Sequence, residues 1–441
     1  MQSKSSKFIR FESVKTQSSF SAERLTQYGG LSVLFKFIEK CDIPSLFDDL
    51  FPTFKHNATK YSTTQVLLSF LCSALCGVKR ISNIETFTKD VLIKTILGLK
   101  KHIDEDTLSK RISSLGQKGA ILLHERLLTF NKSYLDSLSL QRITLDLDST
   151  EQTVYGHQDG AAKGYNPHKK GANSYHPILC YVSEVKYLVN SWFRTGSAYT
   201  ANGVVDFVRQ TLETLPDKVT SVFLRADSGF FNGALFDLLE QKGHTYLVKV
   251  KLKNLKDLLK QQSWSTLPCN ANMSVSKFEY KAKSWTTTRT LHAVRVIVGY
   301  VEVDNFGKIE RVAQYKYFCY CSNLPFASGE ILHEIYGQRA ESENWIEQTK
   351  NHLLAGQTRM QNFNGNDILW QLSVLAYNIS IMMRYATCKK SWREEYKTFR
   401  DWFVKIPAKV VSSARNIYVK MAKYYHAAQR WSKLEQLILR I

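Results

Sequence analysis

Between residues 136 and 249, short alternating apolar runs follow one another with amphipathic runs between them, and that succession leaves few ways to fold. In RITLDLDST, residues 142–150, Ile143, Leu145 and Leu147 alternate with Asp146 and Asp148 before Ser149 and Thr150 end the run. PILCYVSE and VKYLVNSWF come next, then a helix near Ala201–Leu212, the run SVFLRADSGFFNG over 221–233, a helix near Ala234–Gln241 and the strand-like TYLVKVK. Three leading strands followed by alternating helices and strands predict an α/β fold: a mixed sheet flanked by helices, with both aspartate-bearing strands opening on one cleft.

Two aspartates end strands in this region. Asp148 precedes a small hydroxyl pair, and Asp227 precedes Ser228 and Gly229, where the run breaks before a helix. Aspartate at a strand end is commonly a turn former or a helix cap. Its carboxylate is also what hard divalent cations take, and two such ions close together can activate water and stabilise the leaving oxygen of a phosphodiester. Asp146 lies two residues before Asp148 on the same strand face and competes for that role.

A third carboxylate comes from EIYGQRAESENWIEQTKNHLL, read as one helix. At about 100° per residue, Tyr336, Arg339, Glu343 and Lys350 fall within a sector of roughly 60°, so a carboxylate shares one face with two cations and a phenol. Such a face suits phosphate and metal, although an ion-paired solvated helix has the same composition. Glu347 lies one turn beyond Glu343 and about 40° around the helix, and competes with it; Glu341 points away from that face.

These motifs resemble the DDE transposases of bacterial insertion sequences, in the group with a Tyr-x2-Arg-x3-Glu-x6-Lys signature, present without a gap as Tyr336, Arg339, Glu343 and Lys350. The stretch LDLDSTEQTVYGHQDGAAKGYNPHKKGANSYHPILCYV, with LRADSGF and YGQRAESEN, is similar to the thirteen-eighty subgroup of the insertion-sequence-four superfamily. The resemblance runs over roughly residues 20–435, with the motifs in the family's order. It implies an RNase H-like core, a catalytic and metal-binding triad of Asp148, Asp227 and Glu343, two Mg²⁺ ions for which Mn²⁺ can substitute, and phosphate contacts from Tyr336, Arg339 and Lys350. It favours Asp148 over Asp146, because the family's first aspartate stands directly before the hydroxyl pair, and Glu343 over Glu347, because only Glu343 fits the signature. The implied partners are double-stranded DNA, as terminal inverted repeats and target, and a second copy of the chain on paired ends. A DNA-binding regulator without catalysis, and a nuclease of the same fold without strand transfer, are the alternatives.

While 79 residues separate Asp148 from Asp227, 116 separate Asp227 from Glu343, so a segment is inserted before the signature helix. MSVSKFEYKAK, TRTLHAVRVIVGYVEV and YKYFCYC within 262–322 alternate as strands do and predict an all-β insertion. Family members that resolve transposon ends through a DNA hairpin carry such an insertion beside the active site. Whether Trp285 stacks on a flipped base or sits in the core is open at this level. The expected organisation is a helical DNA-binding region over 1–135, the core over 136–261 and 323–388 around the insertion at 262–322, and a basic helical region over 389–441.

In the first region, LSVLFKFIEKC, TTQVLLSFLCSALCG, ISNIETFTKD and DEDTLSKRISSL carry helical periodicity. Asp104 or Asp106 can cap the last, which puts Thr107, Ser109, Lys110 and Arg111 near its N-terminus, as in a recognition helix or as in any amphipathic helix. The loop Tyr155–His176 mixes Gly, Asn and Pro with Lys163, Lys169 and Lys170 and reads as a mobile, phosphate-contacting hairpin or clamp. Its histidines, His157, His168 and His176, lack helix-type metal spacing. The C-terminal Lys389–Ile441 holds 13 basic and 4 acidic residues, a net of +9, with aromatics among the cations, and reads as a basic helical arm for DNA and a second subunit.

Charge supports a polyanion partner: 60 basic against 39 acidic residues give +21, and each cation placed on a phosphate releases counterions. With 44% hydrophobic residues over 441 positions, general disorder is excluded. The longest apolar stretch, around Val66–Cys76, is too short to span a bilayer, and Met1–Leu25 lacks the apolar run of a secretory signal, so a cytoplasmic, nucleoid-associated protein is expected. Eight cysteines contain no CxxC pair, and Cys72 and Cys76, one helical turn apart, read as buried thiols rather than a metal site.

Overall fold

The computed structural model describes residues 23–50, 61–164, 166, 169–198, 200–268, 270–305, 308–357, 360–387, 394–414 and 416–440. His168, Cys269, Cys388 and the first 22 residues lie outside this set. Among the described residues, nine strands form one mixed sheet. Their spatial order is Ser265–Leu267, Asn270–Tyr280, Arg289–Asn305, Lys308–Ser322, Thr245–Lys249, Ser221–Ala226, Arg142–Ser149, Ile178–Val182 and Tyr187–Trp192. Arg142–Ser149, Ser221–Ala226 and Thr245–Lys249 run parallel, joined through the helices Val204–Glu213 and Gly233–Gln241, while Ile178–Val182 and Tyr187–Trp192 return antiparallel.

Ile178–Val182 is buried at every position, because both faces of the sheet are covered here. The long helix Phe363–Thr387 packs along the edge strand, and its Asn378 meets the strand's backbone directly: the amide nitrogen donates to the Leu188 carbonyl at 2.8 Å and the amide oxygen accepts from the Leu188 N–H at 3.1 Å. Asn131, from the helix Glu105–Ser137, donates to the Val189 carbonyl and accepts from the Tyr187 hydroxyl. Buried amides thus satisfy an edge that would otherwise leave backbone groups orphaned.

The N-terminal region is helical as its periodicity predicts. Ser62 and Gln65 form a reciprocal capping box that starts Thr63–Cys76, and Gly77, at φ 74°, ends it. Asp104, rather than Asp106, caps Glu105–Ser137, accepting from the Thr107 N–H at 2.7 Å. Gly116, at φ 57° and ψ −160°, is not helical, so this span is two helices meeting at a kink and its first turn belongs to the shorter one. Among the described residues, no single helix is long and apolar enough to cross a membrane.

The inserted strands extend the core sheet, with Lys308–Ser322 pairing with Thr245–Lys249. Two expectations are corrected by the structure. The basic C-terminal region is not all helix: between Tyr396–Phe403 and Ala428–Arg440, the segments Ala408–Ser413 and Asn416–Met421 form a hairpin. Its β-branched Val410, Val411, Ile417 and Val419 favour strand, and that outweighs the helical character of the flanks. The hairpin pairs with Leu25–Thr26, and Gly30 passes so close to the end of Tyr396–Phe403 that a Cβ there would lie 1.7 Å from the Phe403 carbonyl oxygen. Within Tyr155–His176, Ala162–Lys163 and Asn173–Tyr175 pair antiparallel, and with Gln152–Thr153 before the loop they form a three-stranded sheet.

Finally, the signature segment is not one regular helix. Gly329–Gly337 ends where Arg339 and Ser342 donate to carbonyls three residues back, Ala340–Glu347 follows, and Gln348–His352 widens into a π-turn. Tightening followed by widening re-aims the side chains that an ideal helix would align, a device common at functional sites.

Candidate active site

Sheet register brings the two strand-end aspartates together. Leu147 stands opposite Ala226 in the parallel pair, so Asp148 and Asp227 are the next residues on neighbouring strands. One register step earlier, Asp146 stands opposite Arg225 and is fully buried against it, with both carboxylate oxygens accepting from the guanidinium at 2.7 Å. Arg225 also donates to the Ile335 carbonyl at 3.0 Å. Asp146 thereby ties the central strands to the helix Gly329–Gly337, and its oxygens are already taken.

Asp148 has a different environment. One carboxylate oxygen accepts from the Ser149 N–H at 2.8 Å, and the other pairs with Arg339 at 2.7 Å. Burial, together with the charges of Asp227 and Glu343, pushes its pKa up to about 6 against the pull of Arg339. Arg339 is itself buried: burial opposes its charge, yet Asp148, Tyr336, Asp227 and Asp146 overcome this and hold it protonated more firmly than usual. Its Nε lies buried without a hydrogen-bond partner. Tyr336 packs its ring on Tyr320 at 5.0 Å, and burial followed by the neighbouring carboxylates pushes its phenol up to about 12, so it stays a donor.

Lys350 comes from the π-turn and completes the cluster. Its ammonium donates to the Thr150 hydroxyl and the Glu151 carbonyl, both at 2.9 Å, and stands 3.6 Å from the Glu151 carboxylate. A cleft of ≈ 320 Å³ opens here, lined by Asp148, Glu151, Glu343, Glu347 and Lys350 among others. Asp227 stands just outside that lining, held as the cap of Ser228–Phe230 by the Gly229 N–H at 2.9 Å. A roomier groove of ≈ 620 Å³, between Leu31–Lys40 and the C-terminal hairpin, contains none of these residues.

Asp148, Asp227 and Glu343 present only carboxylate oxygens, the donor chemistry a hard divalent cation takes, and the charges of Asp227 and Glu343 add to burial in disfavouring an ionised Asp148. The donor set therefore fits such an ion. Among the described residues, however, no three His, Cys, Asp or Glu side chains are gathered closely enough to hold one as they stand. Arg339 occupies Asp148, and Glu343 is exposed at the mouth of the cleft.

Of the remaining sequence candidates, Lys163, Lys169 and Lys170 are exposed on or beside the small sheet that continues from Glu151, and the Lys169 ammonium lies 4.5 Å from the Tyr155 ring centre. Thr107 spends its hydroxyl on Asp104, Arg111 reaches the Tyr61 carbonyl, Lys110 is exposed 3.7 Å from Asp106, and Ser109 is half-buried. Trp285 is core: it packs against Phe231, Phe236 and Tyr280 over Gly233, where a Cβ would lie 2.5 Å from the indole.

Sequence reasoning missed Glu151 and the segment Arg194–Asn202. The buried Arg194 donates to the carbonyls of His176 and Asn202, and His176 Nδ1–H donates to the Ala198 carbonyl at 2.7 Å. Thr200 is thereby placed with its hydroxyl 3.5 Å from that of Ser149. No periodicity in this stretch announces it.

Strand-end carboxylates on a mixed sheet thus lie beside a buried arginine, a phenol and a lysine. The sequence matches, over residues 10–441, the family model described as transposase DDE domain group 1, and the chain belongs to that family. No curated protein matches it. Among solved structures, the chain is similar to the piggyBac transposase synaptic complex with hairpin DNA, at 13% identity and a TM-score of 0.48, covering 86% of this chain and 81% of that one.

Proposed function

We propose that the protein is a DNA transposase of a bacterial insertion sequence, excising and inserting it by cut and paste with a DNA hairpin at the transposon end, on an RNase H-like core. The observation that carries this reading is the convergence of Asp148, Asp227 and Glu343, with Arg339 and Lys350, on one end of the central strands. Asp148, Asp227 and Glu343 would hold the divalent ions, Mg²⁺ or Mn²⁺, whose chemistry is to activate the attacking oxygen and stabilise the leaving one.

The chain's own residues bind and orient the DNA. Arg339 has a planar fork suited to a phosphate's two oxygens, and Lys350 acts as a point charge. Tyr336, protonated at all physiological pH, donates without adding charge. Lys163, Lys169 and Lys170 extend the cationic surface along the backbone, and the net charge of +21 strengthens non-specific affinity for duplex DNA. Thr107, Ser109, Lys110 and Arg111 would contact the terminal repeat, and two copies would act on paired ends.

The test is a denaturing gel of the element's own end DNA after reaction in Mg²⁺. A hairpin migrates as a slow, cross-linked species, and joining to a target plasmid separates a transposase from a nuclease of the same fold. Cleaved but never joined ends would leave the nuclease reading; uncut ends that bind tightly would leave the regulator.

A further inference from the structure

Sheet register carries one row of residues from the strand-end aspartates into the insertion. Ala226 pairs with Val248, so the next residues, Asp227 and Lys249, are level; Lys249 pairs with Tyr320, Tyr320 with His292, and His292 with Lys277. Level residues on paired strands share a face, here the one on which Leu332 of the helix Gly329–Gly337 packs against Tyr320. At roughly 4.8 Å per strand, His292 stands about 14 Å from Asp227 and Lys277 about 19 Å.

The same helix begins over the far end of this row. Gly329 rests on Val275, two residues before Lys277, where a Cβ would lie 3.2 Å from a valine methyl. A cleft of ≈ 520 Å³ opens there, lined by Ser265, Lys277, His292, Ser328 and Gly329 among others. Among the described residues no carboxylate lines it. Glu279 accepts from the Thr290 hydroxyl at 2.8 Å and Glu330 stands in the helix's first turn, but neither borders the cleft.

His292 is 4% exposed, borders the cleft, and among the described residues has no hydrogen-bond partner. A buried polar ring left unmet costs free energy that an incoming acceptor recovers. Burial, then the charge of Lys277, push the imidazole down to about 4, so at neutral pH it is uncharged and offers one N–H. Lys277 is exposed and among the described residues has no carboxylate in ion-pair range. Gly329 opens the helix, and a helix's first N–H has no acceptor within the helix, while its positive end favours an anion. A cation, an uncharged donor and a helix head therefore meet in one cleft with no opposing acid, which is the chemistry of a phosphate site.

We propose that this cleft is a phosphate subsite, in which Lys277, His292 and the Gly329 N–H take one backbone phosphate of the DNA strand whose scissile bond lies at Asp148 and Asp227. At roughly 3.4 Å of duplex axis per nucleotide, the spacing along the row sets that phosphate about four to six nucleotides from the bond cut. The DNA source of the phosphate rests on the transposase reading above.

Gel shifts of the element's own end DNA, carrying a single uncharged methylphosphonate at each position in turn, test it. In wild type, one replacement about four to six nucleotides from the cleavage site is expected to weaken binding about tenfold, the loss of one charge-assisted contact. Lys277→Ala, at an exposed side chain, should weaken the unmodified DNA by the same factor and lose its response to that replacement alone. His292→Leu should do likewise, with circular dichroism reporting that it folds. A Lys277→Ala protein that responds to every replacement as wild type does would overturn the subsite and leave Lys277 a general surface charge. Melts in inorganic phosphate and in AMP separate the sources. Stabilisation of wild type that Lys277→Ala lacks, with no sensitive position in the DNA, would overturn DNA as the source and leave a site for a free phosphate compound. Absence of both responses would overturn the cleft as a phosphate site. Ends that wild type does not bind at all would overturn the transposase reading, and the melts would then decide the cleft on their own.

Discussion

Arg339 and Asp148 form a buried ion pair at 2.7 Å, and the same guanidinium reaches the Leu147 carbonyl at 3.4 Å. It is the cation that offsets the mutual repulsion of Asp148, Asp227 and Glu343. Removing one partner of a buried pair costs about 3 kcal/mol. Arg339→Ala is therefore expected to lower the melting temperature at pH 7 in chelator, with millimolar Mn²⁺ recovering part of the loss. A melt insensitive to both the substitution and Mn²⁺ would mean that Asp148 does not depend on a nearby cation.

Asp146 and Asp148, two residues apart, should separate by phenotype. Asp146→Asn breaks the bidentate contact with Arg225 and is expected to destabilise by about 3 kcal/mol, while whatever folds still cleaves DNA. Asp148→Asn takes the charge partner from the buried Arg339 and should also lower stability, but the protein that folds should have lost cleavage. Melting curves beside cleavage gels at a temperature where both variants are folded decide this.

The Asp148 carboxyl ionises near 6 in the fold and near 3.8 unfolded, so it holds its proton more tightly when folded. Its contribution is neutral below both values, and stability falls as pH rises between them, by about 3 kcal/mol in total, then levels off. Denaturant titrations from pH 3.5 to 7.5 should show a decline in wild type that is absent in Asp148→Asn. Identical profiles would contradict the assignment.

Gly196 lies where a Cβ would stand 1.9 Å from the Ser174 carbonyl oxygen and 2.4 Å from that of Ala162. Gly196→Ala should push the small basic sheet off the Arg194–Asn202 segment at a cost of about 1–3 kcal/mol. Faster limited proteolysis between 155 and 200, with weaker DNA binding, is the expected result.

Much of this site was legible in sequence because it is local to strand ends. Alternation located both aspartate strands, and the spacing around Glu343 located Tyr336, Arg339 and Lys350. What alternation cannot encode is register, and it is register that pairs Asp146 with Arg225 and leaves Asp148 beside Asp227. Helical phase likewise placed Arg339 and Lys350 on one idealised face, whereas a tight turn and a π-turn aim them separately at Asp148 and Thr150. The C-terminal hairpin was misread because its basic, aromatic composition drew attention from its β-branched residues. Thr200 and His176 reach the site only through the buried Arg194, a long-range contact without sequence periodicity.

The central claim is tested most directly by cleavage and strand transfer on the element's own end DNA in Mg²⁺, comparing wild type with Asp148→Asn, Asp227→Asn and Glu343→Gln. The account predicts cutting and joining by wild type, and loss of both to background in all three variants while gel-shift binding persists. Full activity in any one of the three, or a wild type that binds the ends and never cuts them, would contradict it.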